Sequence, residues 1–163
     1  DLSRPILLEK SPSNLLRFRL LQALFPGASF ILMMRDPVPV TMSTRKWTPA
    51  ASHRQLVQHW LRAHELAFAD SEYLDHFTWV RYEDLVAAPD ATMERLAAFL
   101  DLPARFDTGA TSGSMSLGYQ LQWASSVDFS EIGDLESSVN RYGYSLEVEH
   151  GERSGGAGNR GTG

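Results

Sequence analysis

The sequence predicts an α/β domain with a mostly parallel sheet and flanking helices, and three observations carry that prediction. Residues 30–34, Phe-Ile-Leu-Met-Met, form an apolar run too short for a separate helix and suited to a strand covered on both faces. The run ends abruptly in Arg35-Asp36-Pro37, where Asp36 has the short carboxylate of an N-cap and Pro37 suits the first helical position. Strand-like runs at residues 5–10, 30–34 and 77–82 are separated by segments of helical period. A β-α-β-α order of this kind folds through right-handed crossovers into parallel pairs.

In chain order, residues 5–10 read as a short buried strand ending in Glu9 and Lys10. Ser11-Pro12-Ser13-Asn14 is a turn, with Ser13 the candidate N-cap of a helix over 14–25 whose apolar face is Leu16, Leu20, Leu21, Leu24 and Phe25. Arg17 projects from that helix and is read as a snorkelling side chain. Pro26-Gly27 stops the helix before the 30–34 strand, and a second helix runs from Pro37 towards Trp47. A loop over 48–52 precedes a long helix over 53–71, with Leu56, Val57, Trp60, Leu61, His64 and Phe68 on one face. His53, His59 and His64 do not repeat as a tight metal pair, and His64 is read as a hydrogen-bonded packing residue. After the third strand, residues 86–89 are expected to loop, Asp90 to cap, and 91–100 to form an amphipathic helix. Residues 107–126 are Gly/Ser/Thr-rich without periodicity and are read as a loop, with a short helix over 130–140. The Gly109–Ser114 run resembles a phosphate loop only superficially, since it lacks the Lys and a preceding strand. Residues 1–150 are taken as one partial domain and 151–163 as a disordered tail.

Composition narrows the function classes. Hydrophobic residues make up 43% and charged residues 21%, which is ordinary for a soluble globular chain. Cysteine is absent, which excludes disulfides and thiolate metal sites. No apolar run approaches the roughly 20 residues of a membrane helix, no signal-peptide pattern opens the sequence, and a cytoplasmic location is the expectation. The missing initiator Met suggests that something upstream has been lost. Residues 1–47 carry seven Lys/Arg against three Asp/Glu, and the remainder eight against seventeen, so charges of +4 and −9 make up the net −5. A basic first third in an acidic chain fits a local anion site better than a nucleic-acid surface, which needs a broader basic face.

That anion site has a natural place. Arg35 stands at the carboxyl end of a strand and beside the amino end of a helix, where open α/β sheets bind ligands and helix starts favour anions. Ser43 lies about two turns further on, with a hydroxyl able to donate to the same anion. A guanidinium and a hydroxyl converging there suit a phosphate. An Arg-Asp pair at a strand end also serves as a simple local ion pair, and a helical Ser is often only solvated.

Three blocks, in this order and spacing, resemble the sulfotransferase superfamily. They are Glu9-Lys10-Ser11-Pro12-Ser13-Asn14; Phe25-Pro26-Gly27-Ala28-Ser29-Phe30-Ile31 running into Arg35-Asp36-Pro37 and Ser43 to Trp47; and Arg81-Tyr82-Glu83-Asp84-Leu85. The likeness covers roughly residues 5–102 and is greatest to the group that includes bacterial, Golgi and tyrosylprotein sulfotransferases. It implies a P-loop NTPase-like α/β fold and transfer of a sulfuryl group from 3′-phosphoadenosine 5′-phosphosulfate to a hydroxyl or amine, without a metal. The acceptor would be a small molecule, glycan or peptide, and homo-oligomers are compatible.

Residue by residue, the resemblance implies that Arg35 and Ser43 bind the 3′-phosphate and that Tyr82 lies near the adenine. Lys10 would approach the bridging oxygen and the sulfuryl group, where negative charge grows on the leaving phosphate. Glu83 and Asp84 would orient loops. The family's 5′-phosphosulfate loop belongs on a strand-to-helix turn upstream of Glu9, so the first β-α unit is expected to be missing. The catalytic base stays open: Pro12 stands where one branch has a His, and Glu9 is the only carboxylate of its block. A catalytically inactive nucleotide-binding remnant, or a kinase of related fold, are the alternatives, although a Gly-Lys-Ser/Thr loop for a kinase is not visible.

Overall fold

The computed structural model describes residues 6–103, 107 and 114–148, with the side chains of 114–116 excepted. A 3-10 turn over Pro12–Leu16 and helix α1 (Phe18–Leu24) lead into strand β1 (Phe30–Met34). Helices α2 (Pro37–Arg45) and α3 (His53–Ser71) follow, then strand β2 (Phe77–Arg81), helices α4 (Tyr82–Ala87) and α5 (Pro89–Phe99), helix α6 (Ser114–Ser126), two 3-10 turns and helix α7 (Glu136–Asn140). β1 and β2 pair in parallel, Phe30 opposite Phe77 and Met34 opposite Arg81, with α2 and α3 in the crossover between them.

Local chemistry sets the boundaries that place the site. Asp36 caps α2, its Oδ1 accepting the Val38 N–H at 2.8 Å, and Pro37 begins the helix. Ser52 and Gln55 form a reciprocal capping box on α3, with bonds of 2.9 and 3.2 Å. From that start, Val57, Trp60, Leu61, His64 and Ala67 repeat along one buried side of α3. Phe30, Leu32 and Ala67 pack with Phe18 in one cluster. Met34, Val38, Met42, Val57, Trp60 and Leu61 join Trp123, Ile132, Val139 and Leu146 in a larger one.

The α/β class, the parallel pairing and the flanking helices agree with the sequence. Several elements do not. Residues 6–10 form no strand: Ile6, Leu7 and Leu8 are 58, 87 and 87% exposed, because no described strand lies alongside to pair with them. β1 is accordingly not covered on both faces, since Phe30, Leu32 and Met34 are buried while Met33 is half exposed. The helix expected over 14–25 is split, because Arg17 leaves helical geometry at φ −138° between the 3-10 turn and α1. Ser11, rather than Ser13, precedes the first turn, and the two hydroxyls bond each other at 2.9 Å.

Residues 86–89 are not a loop, and Asp90 is not a cap. Two acidic residues in the first turn of α4 suit a helix start, and Pro89 serves as the first residue of α5 rather than as a breaker. The expected loop over 107–126 contains α6, a helix of weak local preference held by what it packs on. Trp123 is 2% exposed and donates Nε1–H to the Leu146 carbonyl at 2.9 Å. The helix expected over 130–140 is broken into the turns Phe129–Glu131 and Gly133–Leu135 and the short α7. Residue 5, most of the Gly109–Ser114 run and the tail 151–163 lie outside the described residues.

Candidate functional site

The site is built at the turn from β1 to α2. The Arg35 carbonyl accepts the Trp60 indole N–H at 3.0 Å, which ties the turn to α3. The next N–H, that of Asp36, donates to Glu83 Oε1 at 3.1 Å, and Glu83 Oε2 accepts the Tyr144 hydroxyl at 2.7 Å. Glu83 thus fastens α4 to the turn, as expected of a residue that orients loops. With its backbone held from two sides, Arg35 lays its guanidinium 4.3 Å from the centroid of the Tyr82 ring. A cation over an aromatic face at that distance is attracted by the ring quadrupole.

Both carboxylates at the turn face backbone donors, Asp36 towards Val38 and Glu83 towards Asp36. Burial raises the Asp36 pKa, opposed by the Val38 N–H and by the Gln120 amide, which donates to Oδ2 at 3.3 Å. Tyr144 is also raised, by burial first and then by its bond to Glu83. Alongside, Arg81 donates Nη2–H to the Tyr142 carbonyl at 2.6 Å, close beneath Gly143. Gly143 has φ +73°, a conformation that strains any other residue, and a Cβ there would have to displace the Arg81 guanidinium, so the position favours glycine.

Ser43 is half-buried on α2 and meets a residue from α6. The Tyr119 hydroxyl on that helix accepts from Lys46 Nζ at 3.0 Å. Donation from Lys46 first, and then from the Ser43 hydroxyl, lowers the Tyr119 pKa, and the charges of Lys46 and Arg35 add to the effect. Of the four residues singled out in the sequence, the structure joins Arg35 to Tyr82 directly. Ser43 shares a basic neighbourhood with Arg35 through Tyr119. Lys10 is not brought to them, because it sits on the exposed 6–10 segment rather than at a strand end, and no described hydrogen bond or ion pair links it to the other three.

Lys46 and Tyr119 escaped the sequence reading. Lys46 was detectable, three residues after Ser43 and so on the same side of a helix. Tyr119 was not, since it falls in a stretch read as a loop. His64 matches its reading as a packing residue: its Nδ1 bonds the Trp60 carbonyl at 2.8 Å and burial lowers its pKa. Arg45 meets the His53 ring, and burial followed by the Arg45 charge lowers the pKa of that imidazole.

A sulfotransferase family model matches residues 2–107, taking in β1, the turn, α2 and Tyr82. The chain belongs to the sulfotransferase family. It is 36% identical over 104 residues to protein-tyrosine sulfotransferase 1 of Danio rerio, covering 60% of this chain and 29% of that protein. It is 34% identical over 107 residues to a protein-tyrosine sulfotransferase of Drosophila melanogaster, covering 61% and 21%. Protein-tyrosine sulfotransferase A of Caenorhabditis elegans matches at 32% over 107 residues, covering 61% and 28%. The chain thus spans between about a fifth and a third of the length of these curated relatives.

Membership in this family removes the kinase alternative. The cytoplasmic location is also corrected, because protein-tyrosine sulfotransferases are Golgi enzymes. That expectation rested on the lack of a membrane-length apolar run. No described helix is long and apolar enough to cross a membrane, but this is silent on compartment.

Proposed function

We propose that this chain carries the 3′-phosphate-binding part of a sulfotransferase that moves a sulfuryl group from 3′-phosphoadenosine 5′-phosphosulfate to a tyrosyl hydroxyl of a protein or peptide. The observation that carries the reading is Arg35, held at the carboxyl end of β1 by Trp60 and Glu83 with its guanidinium over Tyr82. The donor set fits a phosphate. Arg35 and Lys46 supply positive charge, Ser43 and Tyr119 supply hydroxyls, and the carboxylates of Asp36 and Glu83 are turned towards backbone N–H groups instead of the ligand side. Tyr82, already stacked under a guanidinium, offers an aromatic surface beside the phosphate for the adenine.

The acceptor class rests on the names of the relatives, which are protein-tyrosine sulfotransferases. In such a transfer the phenol oxygen of the acceptor bonds to sulfur as the bond from sulfur to the bridging phosphate oxygen breaks. Adenosine 3′,5′-bisphosphate departs, and the phenol proton passes to a base. Lys10 is the cation we assign to the charge that grows on the departing phosphate, a task separate from holding the 3′-phosphate.

Calorimetry on the 163-residue chain with adenosine 3′,5′-bisphosphate and adenosine 5′-monophosphate tests the binding part. Charge-assisted hydrogen bonds contribute about 1.5–3 kcal/mol, so the bisphosphate should bind at least ~10-fold more tightly. Equal affinities overturn the reading.

A further inference from the structure

The Arg35 carbonyl and the Asp36 N–H belong to one peptide group, and a side chain holds each end of it. Trp60 Nε1–H donates to the oxygen at 3.0 Å, and Glu83 Oε1 accepts from the nitrogen at 3.1 Å. A peptide group is planar, so holding both ends fixes the backbone rotation on either side of it. That rotation sets the direction in which the Arg35 side chain leaves the end of β1. Tyr144 touches both holders. Its hydroxyl donates to Glu83 Oε2 at 2.7 Å, and its ring stands edge-on to Trp60 with 6.0 Å between centroids.

We propose that Tyr144 is a positioning residue that acts through Glu83 to orient the Arg35–Asp36 peptide, and with it the guanidinium, for a nucleotide 3′-phosphate. The proposal rests on the phosphate-site reading above and adds to it a residue beyond the matched region 2–107. The groups themselves set the direction of the bonds. A carboxylate only accepts, so the Asp36 N–H and the Tyr144 O–H both donate to Glu83 and occupy one oxygen each. Tyr144 is in turn fastened from its own side. Its carbonyl accepts the Asn140 amide at 2.9 Å. Two residues on, the Leu146 N–H donates to Glu136 Oε2 at 2.7 Å, and the Leu146 carbonyl accepts the Trp123 indole N–H at 2.9 Å. The Arg81 guanidinium lies 4.9 Å from the centroid of the Tyr144 ring. A hydroxyl presented from a backbone anchored in this way gives Glu83 a fixed point to bond.

A double-mutant cycle on the full chain separates positioning from packing. Calorimetry gives the preference for adenosine 3′,5′-bisphosphate over adenosine 5′-monophosphate in four proteins: wild type, Tyr144→Phe, Glu83→Ala and the double variant. Phenylalanine keeps the ring against Trp60 and Arg81 and removes only the hydroxyl, and circular dichroism checks that each variant folds. Loss of this hydrogen bond should reduce the preference ~3–10-fold, through the bisphosphate alone. In the Glu83→Ala background the same change should cost less than ~2-fold, because the carboxylate it acts on is gone. If Tyr144→Phe does not fold, Glu83→Asp carries the test. Its side chain is one methylene shorter and reaches only one of the two donors, so the preference should again fall by at least ~3-fold.

A full preference in folded Tyr144→Phe overturns the proposal even if the denaturation midpoint drops, since lost packing alone would lower the midpoint. An equal loss with and without Glu83 overturns it too, as does a full preference in Glu83→Asp. These results leave the phosphate-site reading intact. A wild type with no preference overturns that reading, and the proposal with it.

Discussion

Arg35 and Lys10 are both cations that the sequence places at strand ends, yet they stand in opposite surroundings. Around Arg35 the backbone is fastened by Trp60 and Glu83, the helix behind it is capped by Asp36, and the guanidinium lies over Tyr82. Around Lys10 the chain has no regular secondary structure and is exposed, with Leu7 and Leu8 facing water. The turn at Arg35 is specified by interactions reaching it from α3 and α4, both inside the described chain. The 6–10 segment would need a strand alongside it, and among the described residues none is there.

The contrast can be broken most forcefully at Trp60. This side chain is 4% exposed, fills the larger cluster and supplies the donor to the Arg35 carbonyl. Trp60→Ala should cost about 3–5 kcal/mol in a denaturant titration and take the nucleotide preference with it. A loss below 1 kcal/mol would mean that the turn is held by something else.

Acid should loosen the same region by a smaller amount. The pKa of buried His64 is lowered by burial, so the folded state resists the proton that the unfolded chain accepts near pH 6.5. The unfolded state then binds more protons, and stability falls as pH drops below about 6.5, levelling off once the folded-state value is passed. His53, also lowered, contributes in the same sense. Denaturation midpoints between pH 8 and 5 should show this slope, and His64→Gln should flatten it while leaving the share due to His53. An unchanged slope in the variant contradicts the assignment to His64.

The smallest effect belongs to the other region. Leu7→Ser and Leu8→Ser remove exposed apolar groups and should shift stability by no more than about 0.5 kcal/mol. A larger loss would show that the segment packs in solution.

The same division decides how much could be read from the sequence. β1, α2 with its Asp36 cap, α3 and β2 were legible because short-range rules and tertiary packing agree there. Arg35, Ser43 and Tyr82 stand out as candidates in the sequence itself. Residues 5–10 misled because an apolar run states only a capacity to be a strand, and pairing is a property of the neighbour. α6 was invisible for the converse reason. Its Ser- and Gly-containing sequence has weak helical preference, and its order comes from Trp123 and Gln120 reaching Leu146 and Asp36. Tyr119 was lost with it. Pro89 reads as the end of a loop in the sequence, yet it is the first residue of α5, since a proline that cannot continue one helix suits the first position of the next.

The most direct test of the central claim compares wild type with Arg35→Ala in binding adenosine 3′,5′-bisphosphate. Arg35 is the cation fixed at the end of β1, and its contribution should fall on the 3′-phosphate alone. The account predicts that Arg35→Ala keeps a folded circular dichroism spectrum, binds adenosine 5′-monophosphate as wild type does, and loses at least ~10-fold in affinity for the bisphosphate. A folded Arg35→Ala protein that still prefers the bisphosphate as strongly as wild type would contradict it.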